Sequence, residues 1–317
     1  MDGPGLSFRP ISQVLGGAQA AGMTEAAKQF SDLLVAAAEA AEQSLVHVAA
    51  GCRRGASGSV YSDDGVILTT ARAVAGRDRL EVVQGEQVVE AQVVGFDAAT
   101  DIGVARTQTP LGKAPRWAGG PARLGTPVLS GTRPGRRTRV RLGVVSQVGQ
   151  VWHTLRGARV ERYVETDLAP EPGFSGGLGF DAEGVALGMQ SAGLLRGAGL
   201  LLEKPTLERI VTALLGHGRV RRGYLGVGTQ AVRLPEAAAE SSGQTSGLLV
   251  SSVQPDSAAA KAQLLLGDVL LELGSARLTD AGALQAALED AEGETLWLNL
   301  LRAGQPLRVE VTPGARS

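Results

Sequence analysis

The sequence predicts a mainly β protein: a barrel or sandwich followed by a small second domain. Three observations carry this. Short apolar or alternating runs recur from Ser44 to about Leu201, separated by Gly, Asp, Pro and Ser. Amphipathic helical periodicity is confined to two stretches that flank this region. The chain has 317 residues, which at roughly 150 residues per domain suggests two domains.

Residues 1–23 are rich in Gly, Ala and Pro without periodicity and are expected to form an N-terminal tail. From Thr24, an expected N-cap, Phe30, Leu33, Leu34, Ala37, Ala38 and Ala41 follow the spacing of one helical stripe. The strands expected next include SLVHVAAG, GVILTTA, RLEVVQG, QVVEAQVVGF, RVRLGVVSQV, ARVERYVET and GVALGMQSAG. A second helix is expected in PTLERIVTALLG, with Pro205 near its start and Gly216 past its end. The basic stretch Gly218–Arg222 reads as a linker. Beyond it, strands GLLVSSV, DVLLELG, TLWLNLLR and LRVEVT alternate with short helical stretches at Asp256–Gln263 and Asp280–Asp290. The expected division is a tail over 1–23, a first domain over 24–217 and a second over 218–317.

Composition excludes several classes. Lys+Arg (31) balances Asp+Glu (32), which argues against a nucleic-acid binder. The single cysteine, Cys52, rules out an internal disulfide framework. Three scattered histidines, His47, His153 and His217, lack metal-site spacing, so no metal and no cofactor is expected. No run approaches 18 apolar residues, and the N-terminus lacks a basic start with an apolar core. The expectation is a cytoplasmic protein without a membrane span, or one of the cell envelope if a leader has been removed.

Three ordered segments carry the chemistry: GASGSVYSDDGVILTTARAV (Gly55–Val74), GFDAATDIGVA (Gly95–Ala105) and TDLAPEPGFSGG (Thr166–Gly177). With the last 95 residues, they resemble the HtrA/DegP family of serine proteases. The resemblance covers roughly Thr24 to the end and implies a trypsin-like double β-barrel followed by a PDZ domain. It places the family's aspartate on Asp101, its nucleophile on Ser175, and its oxyanion-binding amides on Gly173 and Ser175. The general-base histidine of that family falls on Arg72.

Arginine stays protonated to about pH 12 or beyond and offers no acceptor nitrogen, so it cannot take the serine proton. Losing a triad member costs on the order of 10⁴- to 10⁶-fold in rate. The chain is therefore expected to be a pseudoprotease, a non-enzyme that binds or scaffolds proteins. The alternative is a weak or conditionally active serine endopeptidase using Ser175. Arg72 is expected to pair with Asp101. Phe174 is expected to lie between the oxyanion donors, and Ala169 to shape an apolar specificity pocket. Arg133, Arg136, Arg137, Arg139 and Arg141 form the densest basic patch, read as solvated or facing an acidic partner.

In the second domain, RRGYLGV resembles the carboxylate-binding loop of bacterial PDZ domains. The resemblance implies that peptide C-termini bind at Tyr224, Leu225, Gly226 and Val227, with Leu284 and Leu288 on the opposite groove wall. It also implies a homo-oligomer, a trimer formed through the N-terminal segment Leu6–Phe30.

Overall fold

The computed structural model describes residues 17–49, 55–289 and 291–315. Cys52, most of the expected tail and the first part of the expected self-association segment lie outside them.

A helix over Gly17–Ser44 leads into the first barrel. It begins seven residues before the expected cap Thr24, because Ala18, Ala20 and Ala21 are strong helix formers and nothing before Thr24 breaks the run. Only the second half of its stripe is covered: Ala37 and Ala41 are buried against the barrels, whereas Phe30 and Leu33 are exposed.

Six strands, β1 (Leu45–Ala49), β2 (Ala56–Ser62), β3 (Val66–Thr70), β4 (Arg79–Gln84), β5 (Gln87–Asp97) and β6 (Ile102–Thr107), close a barrel in the order β1-β2-β3-β6-β5-β4. Its interior is filled by Val46, Val48, Ile67, Val82 and Ala105. In the next segment come β7 (Pro127–Thr132), β8 (Arg139–Val148), the short hairpin β9 (Trp152–His153) and β10 (Arg159–Val160), then β11 (Val164–Thr166), β12 (Leu178–Phe180), β13 (Ala186–Ser191) and β14 (Gly199–Leu202). These strands, apart from the hairpin, close a second barrel in the order β11-β14-β13-β12-β7-β8. The fold is a trypsin-like double barrel.

The largest apolar cluster lies between the barrels, where Leu45, Leu68, Val104, Phe180, Met189 and Leu202 meet the buried face of the helix Lys204–His217. That helix continues past Gly216 and stops at Gly218, whose φ of 70° supplies the left-handed cap while its N–H bonds the Leu214 carbonyl. Burial of both barrels against one shared core fixes their relative orientation and sets a cleft between their ends.

The remaining strands, β15 (Gly223–Tyr224), β16 (Val227–Arg233), β17 (Ser246–Val253), β18 (Val269–Leu273), β19 (Ala276–Arg277), β20 (Leu296–Arg302), β21 (Gln305–Val311) and β22 (Gly314–Ala315), form a PDZ domain with its own core of Leu248, Leu270, Leu284, Leu298 and Leu300. Its helix Ala281–Leu288 is capped by the Asp280 carboxylate, which accepts from the Ala283 N–H. A turn of helix over Glu236–Ser242 was not expected, since its single acidic-alanine repeat is too short for a periodic signal.

The PDZ domain is tied to the barrels by charge. Arg222, in the segment read as a linker, pairs bidentately with Asp97 at 2.6 and 2.8 Å. Glu289, at the end of the PDZ helix, meets Arg209 at 3.5 Å and accepts from the Arg159 N–H at 3.3 Å. No helix among the described residues is long and apolar enough to cross a membrane.

Candidate active site

The cleft between the barrels collects Arg72 and Asp101 from the first and Gly173 and Ser175 from the second around a cavity of 650 Å³. Local chemistry positions each.

Asp101 sits where β5 turns into β6. The Asp97 carboxylate closes that turn by accepting from the backbone N–H groups of Ala99 and Thr100 and from the Thr100 hydroxyl. The turn leaves Asp101 at φ 58°, a left-handed conformation that Asp tolerates better than most residues. Its carbonyl accepts from the Ala71 N–H at 3.2 Å, which fastens the turn to the short helix Ala71–Val74 that carries Arg72. Thr70 caps this helix.

The Asp101 carboxylate accepts from the Ser191 hydroxyl at 3.1 Å. Burial pushes its carboxyl above the usual range. The Ser191 and Ala71 hydrogen bonds and the Arg156 charge pull it down by less.

Arg72 does not pair with Asp101. It is exposed, and among the described residues no ion pair joins the two. Desolvating a guanidinium beside a single carboxylate costs more than the contact returns unless further hydrogen bonds are made, so the long side chain extends to water instead.

The segment leading to Ser175 is built on Glu171-Pro172-Gly173-Phe174. Pro at the second and Gly at the third position suit a type II turn. Gly173 has φ 89°, and the Phe174 N–H bonds the Glu171 carbonyl at 2.9 Å. A second tie is Ser57. Its hydroxyl donates to the Gly173 carbonyl at 2.6 Å and accepts from the Arg133 N–H at 2.8 Å.

Neither the Gly173 nor the Ser175 amide donates to another backbone group among the described residues. The Ser175 hydroxyl accepts from the Ala192 N–H at 2.9 Å. Ser191 and Ala192 are consecutive, so one stretch of chain holds both the carboxylate and the hydroxyl.

Phe174 does not lie between the donors. It is 3% exposed and packs with Val128, Val145, Leu168 and Leu201 in the second barrel's core. It anchors the turn from behind rather than obstructing the cleft. Ala169 is exposed and lines neither cavity beside Asp101; its carbonyl accepts from Arg141 at 2.8 Å.

Arg133 departs from the basic patch. It is 4% exposed, with its guanidinium donating to the Arg136 carbonyl and the Thr138 hydroxyl. Arg136, Arg137 and Arg139 line an open hollow beside Pro172.

Of the histidines, His47 lies in β1, His217 is exposed at a helix end, and His153 Nε2 stands 3.8 Å from Glu289 of the PDZ domain. None lines the Ser175 cavity.

Tyr224, Leu225, Gly226, Val227, Leu284 and Leu288 do come together, around a groove of 140 Å³. The β9–β10 loop closes one side of it through Arg156 and Gly157. Arg156 also lines a second hollow of 390 Å³ that Asp101 and Arg72 share. Ser57, Ser191, Ala192 and Arg156 were missed as site residues. Ser57 stands in the quoted motif GASGSV, but nothing local marks the other three.

Residues 34–189 match the family model described as trypsin-like peptidase domain, and residues 223–312 that of the PDZ domain. A protein of Halomonas elongata named "Probable periplasmic serine endoprotease DegP-like" is 29% identical, over 81% of this chain and 56% of its own length. "Protease Do-like 1, chloroplastic" of Arabidopsis thaliana is 27% identical over 81% of this chain and 62% of its own length.

Among solved structures, the HtrA-type protease AlgW with tripeptide superposes with a TM-score of 0.71 at 27% identity, covering 90% of this chain and 97% of that one. The serine endoprotease from Yersinia pestis gives 0.72 at 25% identity, covering 90% and 98%. The chain spans between about half and two thirds of the length of the curated relatives that it matches. The chain is thus similar to HtrA/DegP proteases, with a trypsin-like double barrel followed by a PDZ domain.

These findings overturn the expectation of a non-enzyme. Relatives and structural neighbours alike are named serine proteases or endoproteases, which points to protease activity. The expectation rested on residue 72 alone, and Asp101, Gly173 and Ser175 are all present in the cleft. In serine proteases the groups that remain after loss of one triad member still supply about 10³- to 10⁴-fold over water. The expected cytoplasmic location is not supported either, since several relatives are named periplasmic.

Proposed function

We propose that this HtrA/DegP-like chain is a serine endopeptidase of conditional activity, with Ser175 as nucleophile and the half-buried Asp101 as the orienting carboxylate. The observation that supports this is one cavity lined by Gly173, Ser175 and Asp101, with neither the Gly173 nor the Ser175 N–H spent on another backbone group among the described residues. A peptide carbonyl placed there meets Ser175 Oγ on one side. The developing oxyanion meets the Gly173 and Ser175 N–H groups on the other. Activity is conditional because Arg72 cannot serve as base, so turnover waits on a proton acceptor that enters the cleft.

The PDZ groove takes a peptide C-terminus, with the amides at Leu225–Val227 holding the carboxylate and Leu284 and Leu288 lining the side-chain pocket. The names of the relatives favour the cell envelope as its location.

The test is fluorophosphonate labelling of the full chain with free imidazole added as the proton acceptor. Stoichiometric labelling that disappears in Ser175→Ala is expected. Labelling that persists in that variant, or its complete absence in the parent chain, would overturn the reading.

A further inference from the structure

Among the described residues, four titratable side chains line the cavity in front of Ser175: Arg72, Arg77, Asp101 and Glu171. The two arginines stay cationic. Glu171 is exposed and pairs with Arg141 at 3.3 Å. Asp101 is half-buried and engaged by Ser191. No group among them carries both an N–H for the carboxylate and a lone pair for the hydroxyl, which is what an imidazole supplies.

The space for one is open. The Arg72 side chain does not close on Asp101. The facing wall is Gly193, where a Cβ would lie 2.7 Å from the Asp101 carboxylate, so glycine keeps that carboxylate accessible. The two ends of the gap are held by neighbours in sequence, Ser191 on Asp101 at 3.1 Å and Ala192 on Ser175 at 2.9 Å. Asp101 and Ser175 line the same cavity of 650 Å³, which has room for an imidazole.

We propose that the missing base is supplied by the substrate: the chain cleaves peptides that carry a histidine on the acyl side of the scissile bond, within two residues of it, whose imidazole fills the gap between Asp101 and Ser175. This rests on the serine endopeptidase reading above.

The proton accounting follows. The substrate imidazole donates its N–H to Asp101 and takes the Ser175 proton as the Oγ–C bond forms. The carbonyl oxygen becomes an oxyanion on the Gly173 and Ser175 amides. The imidazolium then returns the proton to the departing amine as the C–N bond breaks, leaving an acyl-enzyme. A histidine on the acyl side stays in place, takes a proton from an incoming water, and returns it to Ser175 as the acid is released. A histidine on the other side leaves with the amine and strands the acyl-enzyme without a base. The rule is therefore directional.

The experiment uses matched quenched-fluorescent peptides that differ only in His, Gln or Phe at the second residue before the cleaved bond. Cleavage of the His peptide at least about 10²-fold faster than the others is expected, in keeping with the contribution of a positioned general base. Free imidazole should raise the rate on the Phe peptide. Arg72→His should erase the preference by providing the base from the protein.

The rate on the His peptide should rise with pH as its imidazole becomes neutral, near pH 6.5. Asp101 and Glu171 shift that midpoint up, and Arg72 and Arg77 shift it down. Equal cleavage of all three peptides by a chain that still labels at Ser175 would overturn this inference and leave the endopeptidase reading standing. A chain that neither labels nor cleaves any peptide would overturn both.

Discussion

At the scale of single residues, Arg72 and Gly173 divide the chemistry between what is missing and what is kept. Arg72 reaches solvent from a short helix whose cap and backbone ties do not involve its side chain. Arg72→His is therefore expected to fold unchanged and to raise kcat/KM on histidine-free peptides by about 10²- to 10⁴-fold, measured with the quenched substrates. Gly173 has the opposite character. Its φ of 89° disfavours any side chain, and a Cβ would fall 2.2 Å from Pro134 Cβ. Gly173→Ala should displace one oxyanion donor and lower kcat by about 10²- to 10³-fold in an Arg72→His background.

At the scale of elements, the β5–β6 turn joins stability to the site. Desolvation would raise the Asp97 carboxyl. The bidentate Arg222 pair and the Thr100 hydrogen bonds outweigh it, so the carboxyl is held below its ordinary value. A lowered folded value means stabilisation that is present above the unfolded value near 3.9 and lost as pH falls through the lower folded one. Arg222→Ala leaves that buried carboxylate unpaired and should cost about 3–5 kcal/mol in urea unfolding at neutral pH. It should also abolish the acid-dependent loss of stability assigned to this pair. Unfolding midpoints that match the parent chain at pH 3 and pH 7 would show that the pair carries no weight.

At the scale of the molecule, one loop faces two sites. Arg156 borders both the PDZ groove and the hollow beside Asp101, and its charge draws the Asp101 carboxyl down. Removing that charge lets the carboxyl rise further, so an activity that needs ionised Asp101 should have its acid limb moved to higher pH in Arg156→Ala. A pH–rate profile of kcat/KM reads this directly. In the groove itself, amidating the C-terminus of an apolar-ended peptide should cost at least about tenfold in affinity by calorimetry if backbone amides hold the carboxylate.

Much of this was legible from local sequence, because strands, turns and caps are short-range events. The alternating runs named seven segments that the barrels contain, and Glu-Pro-Gly-Phe already specifies the turn that orients Gly173. Arg72 in the place of a base could also be read without coordinates. What could not be read are contacts between distant residues: Ser191 on Asp101 across 90 positions, Arg222 on Asp97 across 125, and the burial of Phe174 behind the turn it was expected to obstruct. The sequence by itself determined that Asp101, Gly173 and Ser175 belong to one cleft and that position 72 carries an arginine. Only the tertiary structure decided that Arg72 leaves Asp101 accessible, because whether a guanidinium stays in water or enters a buried site depends on the desolvation and hydrogen bonds that the packed cleft offers.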